Sequence, residues 1–125
     1  MKIYIELNSS NDLKNILDSG IDLSRVTPCI GSYKGEVNSS YEIDLTGIHG
    51  FDLRDSFNVV MDLATRFQQE SMLVVYTTGT PSAQLVYIDP LKDSINLGKW
   101  TTIPERDLSQ HEAWTKINNV YMIAS

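Results

Sequence analysis

The chain has 125 residues, of which 42% are hydrophobic and 21% charged, with a net charge of −6 and one cysteine. That length makes a single domain with core enough to fold without a disulfide or a bound metal. The acidic balance argues against a surface built for nucleic acid, whose affinity comes from clustered Lys and Arg.

No stretch approaches the ~20 apolar residues of a membrane span, and the N-terminus lacks the apolar run of a signal peptide. A cytoplasmic setting is therefore expected. Cys29, between Pro28 and Ile30, reads as a buried strand thiol and fits a reducing compartment.

Residues 2–7 alternate, with Ile3, Ile5 and Leu7 on one face and Lys2, Tyr4 and Glu6 on the other, the pattern of a half-buried strand. Ser9 or Ser10 is placed to cap a short helix, with Asp12 adding a favourable charge in its first turn. Leu13, Ile16 and Leu17 form its apolar stripe and Gly20 closes it. The sequons at Asn8 and Asn38 read as turn and cap residues. Residues 25–33 form the second strand, at an edge or irregular position because Pro28 has no N–H to donate. Gly31 and Gly35 bracket a tight turn in which Gly35 is expected at positive φ, and residues 41–45 follow as the third strand.

Asp52 reads as the N-cap of a helix over residues 53–68. Its face is Leu53, Phe57, Val60, Ala64 and Phe67, spaced by four and three residues in turn, and Val59, Met61 and Leu63 widen it. Asp62 and Arg66 can pair on its wet side. Residues 72–76 are a continuous apolar core strand. A turn at 78–81 leads to a strand over 84–88, and another at 90–93 to a strand over 97–103 that carries Trp100 and stops at Pro104. Ser109 and Glu112 match a capping box, placing a helical turn within 105–112. Residues 114–117 and 120–123 form a terminal hairpin around Asn118-Asn119, since Asn tolerates positive φ. The order β-α-β-β-α-β-β-β plus a hairpin predicts a single α+β domain, a mostly antiparallel β-sheet with both helices packed on one side.

Candidate chemistry is sparse. One Cys and two widely separated histidines, His49 and His111, give no zinc spacing, and no metal or cofactor is expected. The glycines of Gly31-Ser-Tyr-Lys-Gly35 are followed by a strand, so they read as a turn and not as a phosphate loop. Ser32, Ser39 and Ser40 lack the elbow of a nucleophile. Glu36, Glu42 and Glu70 offer carboxylates for acid–base work, as nearly any domain of this size does. Glu70, beside Gln68 and Gln69 at the helix–strand junction, more simply caps backbone. The strand aromatics read as core or sheet-face residues, with only Lys34, Lys99 and Lys116 near them. Stacking of single-stranded nucleic acid is not expected.

Charge is uneven: residues 36–62 hold six acids against Arg54 alone and carry −5 of the net −6. Glu36, Glu42, Asp44, Asp55 and Asp62 make this an acidic candidate surface for a basic partner. A second candidate is a pocket between the Gly31–Gly35 turn and the helix end, lined by Tyr33, Ser40, Gln69 and Glu70.

The run G-S-Y-K-G-E at 31–36, S-Y-E-I at 40–43, A-T-R-F-Q-Q-E-S at 64–71 and M-L-V-V at 72–75 resembles a group of small bacteriophage and prophage proteins without an assigned function. It is also similar to the C-terminal part of a bacterial domain with an E-x-S-[FY] strand. The acid of that pattern is replaced here near Asn38-Ser39. The resemblance implies a phage-like origin and a compact α+β fold, and carries over no functional residue. With no catalytic constellation, the leading expectation is a non-enzymatic inhibitor of a host or defence protein, of anti-restriction or anti-CRISPR type, acting through its acidic surface. The alternatives are a small-ligand binder or hydrolytic enzyme using the Tyr33–Glu70 pocket, and a homo-oligomeric accessory protein, such as a homodimer, pairing by exposed strand edges.

Overall fold

Each strand of this protein finds a neighbour on both of its edges. The computed structural model describes residues 1–6 and 10–125, and the side chains from Asp12 onward in the first helix. Leu7, the Ser9 or Ser10 cap and the Asn8 sequon lie outside what is described. The elements are β1 (Lys2–Glu6), α1 (Ser10–Asp18), a short 3-10 turn (Leu23–Arg25), β2 (Val26–Tyr33), β3 (Glu36–Asp44) and α2 (Gly50–Arg66). There follow β4 (Ser71–Tyr76), β5 (Ser82–Tyr87), β6 (Ile95–Ile103), a second 3-10 segment (Glu105–Gln110), β7 (Ala113–Ile117) and β8 (Val120–Ala124).

The strands close into an eight-stranded barrel in the order β1-β3-β2-β7-β8-β6-β5-β4, with every pair antiparallel. This corrects the expected α+β arrangement of an open sheet with two helices on one side. The closing contact is the β1–β4 ladder, Lys2 opposite Val75, Ile3 opposite Val74 and Tyr4 opposite Leu73. Periodicity reveals that a segment is a strand, but not which distant strand it will pair with, so closure leaves no local mark.

Alternation then sorts the side chains into two cores. Inside the barrel Tyr4, Cys29, Val75 and Ala83 pack with Leu73, Trp100, Ile117 and Ala124. Outside, Ile3, Ile5, Ile43, Met72 and Val74 meet Ile16 of α1, Val60, Leu63 and Ala64 of α2, and Phe67 at the C-cap of α2. The unbroken apolar run of β4 follows directly: Met72 and Val74 go under the helices while Leu73 and Val75 fill the lumen.

The face expected for α2 is the one that packs, with Leu53 and Phe57 half-buried at its start. Its N-cap is His49, which makes no side-chain cap bond, so Asp52 falls inside the first turn instead of capping it. There its charge still meets the exposed N–H groups favourably. The helix ends where Gln68 turns to φ +58, and the Gln69 N–H donates to the Ala64 carbonyl at 3.0 Å. Two-residue turns join β2 to β3 and β7 to β8. Lys34 and Gly35 sit at φ +50 and +85, and Asn118 and Asn119 at +50 and +62, as the turn chemistry predicts. Tyr33 therefore pairs with Glu36 directly, and β3 starts earlier than its alternating tract alone indicated. Within 105–112 a 3-10 segment runs over Glu105–Gln110 and starts after Pro104 without a side-chain cap, so Ser109 lies at its end and not at a capping position.

Among the described residues no helix is long and apolar enough to cross a membrane.

Candidate functional site

The barrel wall has a seam. β2 pairs with β3 along its whole length, but with β7 only from Ile30 to Tyr33. Pro28 has no N–H to extend that ladder, and beyond Lys116 the β7 chain soon enters the Asn118-Asn119 turn. Where the two strands part, a groove of about 570 Å³ opens. Cys29 and Ser40 are its buried floor, Pro28, Ile30, Ser39 and Tyr41 its β2–β3 wall, and Lys116, Asn118 and Asn119 its other side.

A buried carboxylate lies just behind that floor. Glu42 stands two residues along β3 from Ser40 and faces the lumen, 6% exposed. It sits directly opposite Tyr4 in the β1–β3 register. The Tyr4 hydroxyl donates to Glu42 Oε2 at 2.6 Å, and Lys2 Nζ lies 3.8 Å from Oε1. Trp100 braces the tyrosine, ring centroids 5.6 Å apart and tilted by 43°.

Burial, then the hydrogen bond and the negative charge of Glu42, push the Tyr4 hydroxyl far above its ordinary range, so it remains a neutral donor. Burial, with the Glu42 charge adding to it, pushes the Cys29 thiol up to about 12. Cys29 is thus an inert, protonated floor and not a nucleophile.

The residues singled out from sequence scatter. Of the expected pocket, Ser40 alone reaches the groove. Tyr33 is at the hairpin tip, 56% exposed, with Lys34 Nζ 5.3 Å from its ring centroid. Gln69 instead fastens β1, accepting from the Glu6 N–H at 3.3 Å and donating to the Glu6 carbonyl at 3.2 Å. The Glu70 side chain, 79% exposed, faces Lys92 at 3.5 Å.

The acidic window does not form one surface either. Glu36, Asp55 and Asp62 are exposed, but Glu42 is inside the barrel. Asp44 closes a turn by accepting from the Thr46 N–H at 2.9 Å. Burial alone would raise the Asp44 carboxyl, but the Thr46 bonds and the nearby charges of Lys2 and the N-terminus outweigh it and hold it below the usual range. Asp62 and Arg66 line a smaller cleft of about 250 Å³ between α1 and α2 with Asp18, and they are not one of the two ion pairs found among the described residues. Sequence reasoning missed Glu42 as an interior carboxylate and Lys116 as a groove residue. The available signal was Pro28, an interruption inside an otherwise regular strand.

The model of the S-adenosylmethionine lyase family matches residues 6–124. Among curated proteins none matches the chain. A lyase family is a family of enzymes, so the expectation of a non-enzymatic phage inhibitor with an anti-defence role is corrected, and the alternative of an enzyme with a small-molecule site is favoured. The missing catalytic signature misled because it was sought among metal, serine, phosphate and carboxylate-pair motifs. With the match spanning nearly its whole length, the chain belongs to the S-adenosylmethionine lyase family.

Proposed function

We propose that this protein cleaves a carbon–sulfur bond of S-adenosylmethionine without water, and that it does so in the β2–β7 groove. The family match over residues 6–124 carries the reading. The groove supports its location, because its volume of about 570 Å³ suits a nucleoside-sized ligand.

The chemistry needs little from the protein. The sulfonium is a leaving group ready-made. When the substrate's own carboxylate attacks Cγ, an O–Cγ bond forms and the S–Cγ bond breaks. The electron pair passes to sulfur, giving neutral methylthioadenosine and a five-membered lactone that keeps its ammonium group. The carboxylate and sulfonium charges merge in that step, so a site walled by Pro28, Ile30 and Tyr41 and floored by an un-ionised Cys29 favours it over bulk water. Elimination would instead need a base to take a Cβ proton. Tyr4 and Cys29 both hold their protons, and Glu42 is engaged by Tyr4 and Lys2. Internal displacement is therefore the step these residues favour. Glu42 contributes a negative charge behind the floor that draws in the cationic end of the substrate. The cytoplasm is the proposed setting, in keeping with the lone buried thiol of Cys29.

The test is incubation of the purified protein with S-adenosylmethionine in ¹⁸O-water. Methylthioadenosine should appear with one lactone per substrate, and any homoserine formed later should carry ¹⁸O in its carboxylate only. Label in the γ-hydroxyl would mean hydrolysis at Cγ, and no turnover would reject the reading.

A further inference from the structure

Three charged side chains share the small cleft between α1 and α2 without pairing. They are Asp18 at the end of α1, and Asp62 and Arg66 on α2. Asp62 and Arg66 are four residues apart on one helix, the spacing at which such a pair can close. Neither they nor Asp18 belongs to an ion pair among the described residues. The gap they line is about 250 Å³, below the roughly 300–1,000 Å³ of sites that take drug-sized ligands. Its charges are of both signs. α1 stops at Asp18 with no basic residue in its last turn, so its carbonyl end and the Asp18 carboxylate are both negative. The Ser19 hydroxyl donates to the Ile16 carbonyl at 2.5 Å, which leaves its oxygen only to accept. Arg66 is the sole cation among the lining residues, and its fork of N–H donors suits a carboxylate. Leu63, 2% exposed, and the half-buried Val59 supply an apolar wall.

From this layout we infer that the α1–α2 cleft binds a small apolar α-amino acid as its zwitterion. Arg66 takes the carboxylate, Asp18, Asp62 and the Ser19 oxygen take the ammonium, and Val59 and Leu63 take the side chain. A plain cation is opposed by Arg66, and a plain anion by two carboxylates and the carbonyl end of α1. A molecule that carries both charges on neighbouring atoms satisfies each group at once. The cleft shares no residue with the β2–β7 groove, so the inference stands apart from the proposed function. An occupant joins the end of α1 to α2. It therefore binds the folded chain alone and stabilises it as its concentration rises.

L-methionine is the probe, compared with three relatives. Its methyl ester keeps only the ammonium, N-acetyl-L-methionine keeps only the carboxylate, and glycine lacks the side chain. Binding is read from the Val59 and Leu63 methyl resonances during NMR titration. L-methionine should shift them saturably, and each relative should bind weaker by on the order of fivefold. Arg66→Gln should remove the preference for L-methionine over its methyl ester. Asp62→Asn should reduce the preference over N-acetyl-L-methionine. Both changes are at exposed positions, and thermal unfolding checks that the variants fold. A relative that binds as tightly as L-methionine would overturn the inference. So would variants that fold and keep the wild-type preferences, or the absence of a saturable shift with L-methionine.

Discussion

The barrel has two kinds of wall. Under α1 and α2, the strands β1, β3 and β4 are sealed on both faces, with Ile3, Ile5, Ile43 and Val74 all fully buried. Across the ring, β2 and β7 part after only four paired positions and leave Ile30 41% exposed at the groove. One wall is built for stability and the other is left unfinished. The difference teaches where to look for function in a small barrel with a filled lumen: not inside it, but where a ladder is interrupted and the polar interior comes near the surface.

The contrast breaks most simply by unfolding measurements. Phe67→Ala, at a 4% exposed position against the helix-covered wall, should cost about 3–5 kcal/mol in urea denaturation. Ile30→Ala at the seam should cost less than about 1 kcal/mol, because little burial is lost there. Equal costs would mean that the seam is as tightly packed as the sealed wall.

A smaller effect probes the lumen between them. Tyr4→Phe removes the 2.6 Å hydrogen bond to the buried Glu42 carboxylate and should destabilise by about 1–3 kcal/mol, read in the same assay. Glu42→Gln keeps an acceptor for Tyr4 and loses only the charge. Under the proposed function it should raise KM for S-adenosylmethionine by on the order of tenfold. An unchanged KM would show that the charge behind the floor does not reach the substrate.

At the hairpin that extends the seam, Gly35 has φ +85, where a side chain is strained although nothing crowds it. Gly35→Ala should therefore cost about 1–2 kcal/mol of stability, and a neutral result would mean that the turn relaxes.

A further effect is confined to the alkaline side. The Cys29 thiol is raised in the folded protein from 9.0 to about 12, so its burial contributes stability that is fully present below pH 9. That contribution is lost as pH rises from about 9 towards 12, because the unfolded thiol ionises first. A Cys29→Ala variant should show a shallower loss of stability across that window.

How much of this was legible in the chain depends on how local each signal is. The face of α2, the core strand β4, the left-handed Gly35 and the Asn118-Asn119 turn are written in spacings of a few residues, and the structure follows them. Barrel closure is not, because the β1–β4 ladder joins segments with the whole of α1, β2, β3 and α2 between them. For the same reason Glu42 looked like one of a row of surface acids. Only its register with Tyr4, set by the β1–β3 pairing, turns it inward. Asp52 missed its cap because α2 begins earlier, at Gly50. Of the site itself, the sequence offered Pro28 as an irregularity and Ser40 as a candidate. Lys116 gained meaning only when the seam placed it opposite them.

The central claim is that S-adenosylmethionine is cleaved in the β2–β7 groove, and obstruction of that groove tests it most directly. Ser39 is exposed on the groove wall, where a tryptophan would occupy space without disturbing either core. Methylthioadenosine release should be measured for the wild type and for Ser39→Trp, alongside their thermal unfolding. The account predicts steady release by the wild type and a loss on the order of a hundredfold in kcat/KM for the variant, about 2.7 kcal/mol of lost transition-state binding, with unfolding unchanged. A Ser39→Trp protein that folds and turns over S-adenosylmethionine at the wild-type rate would contradict it.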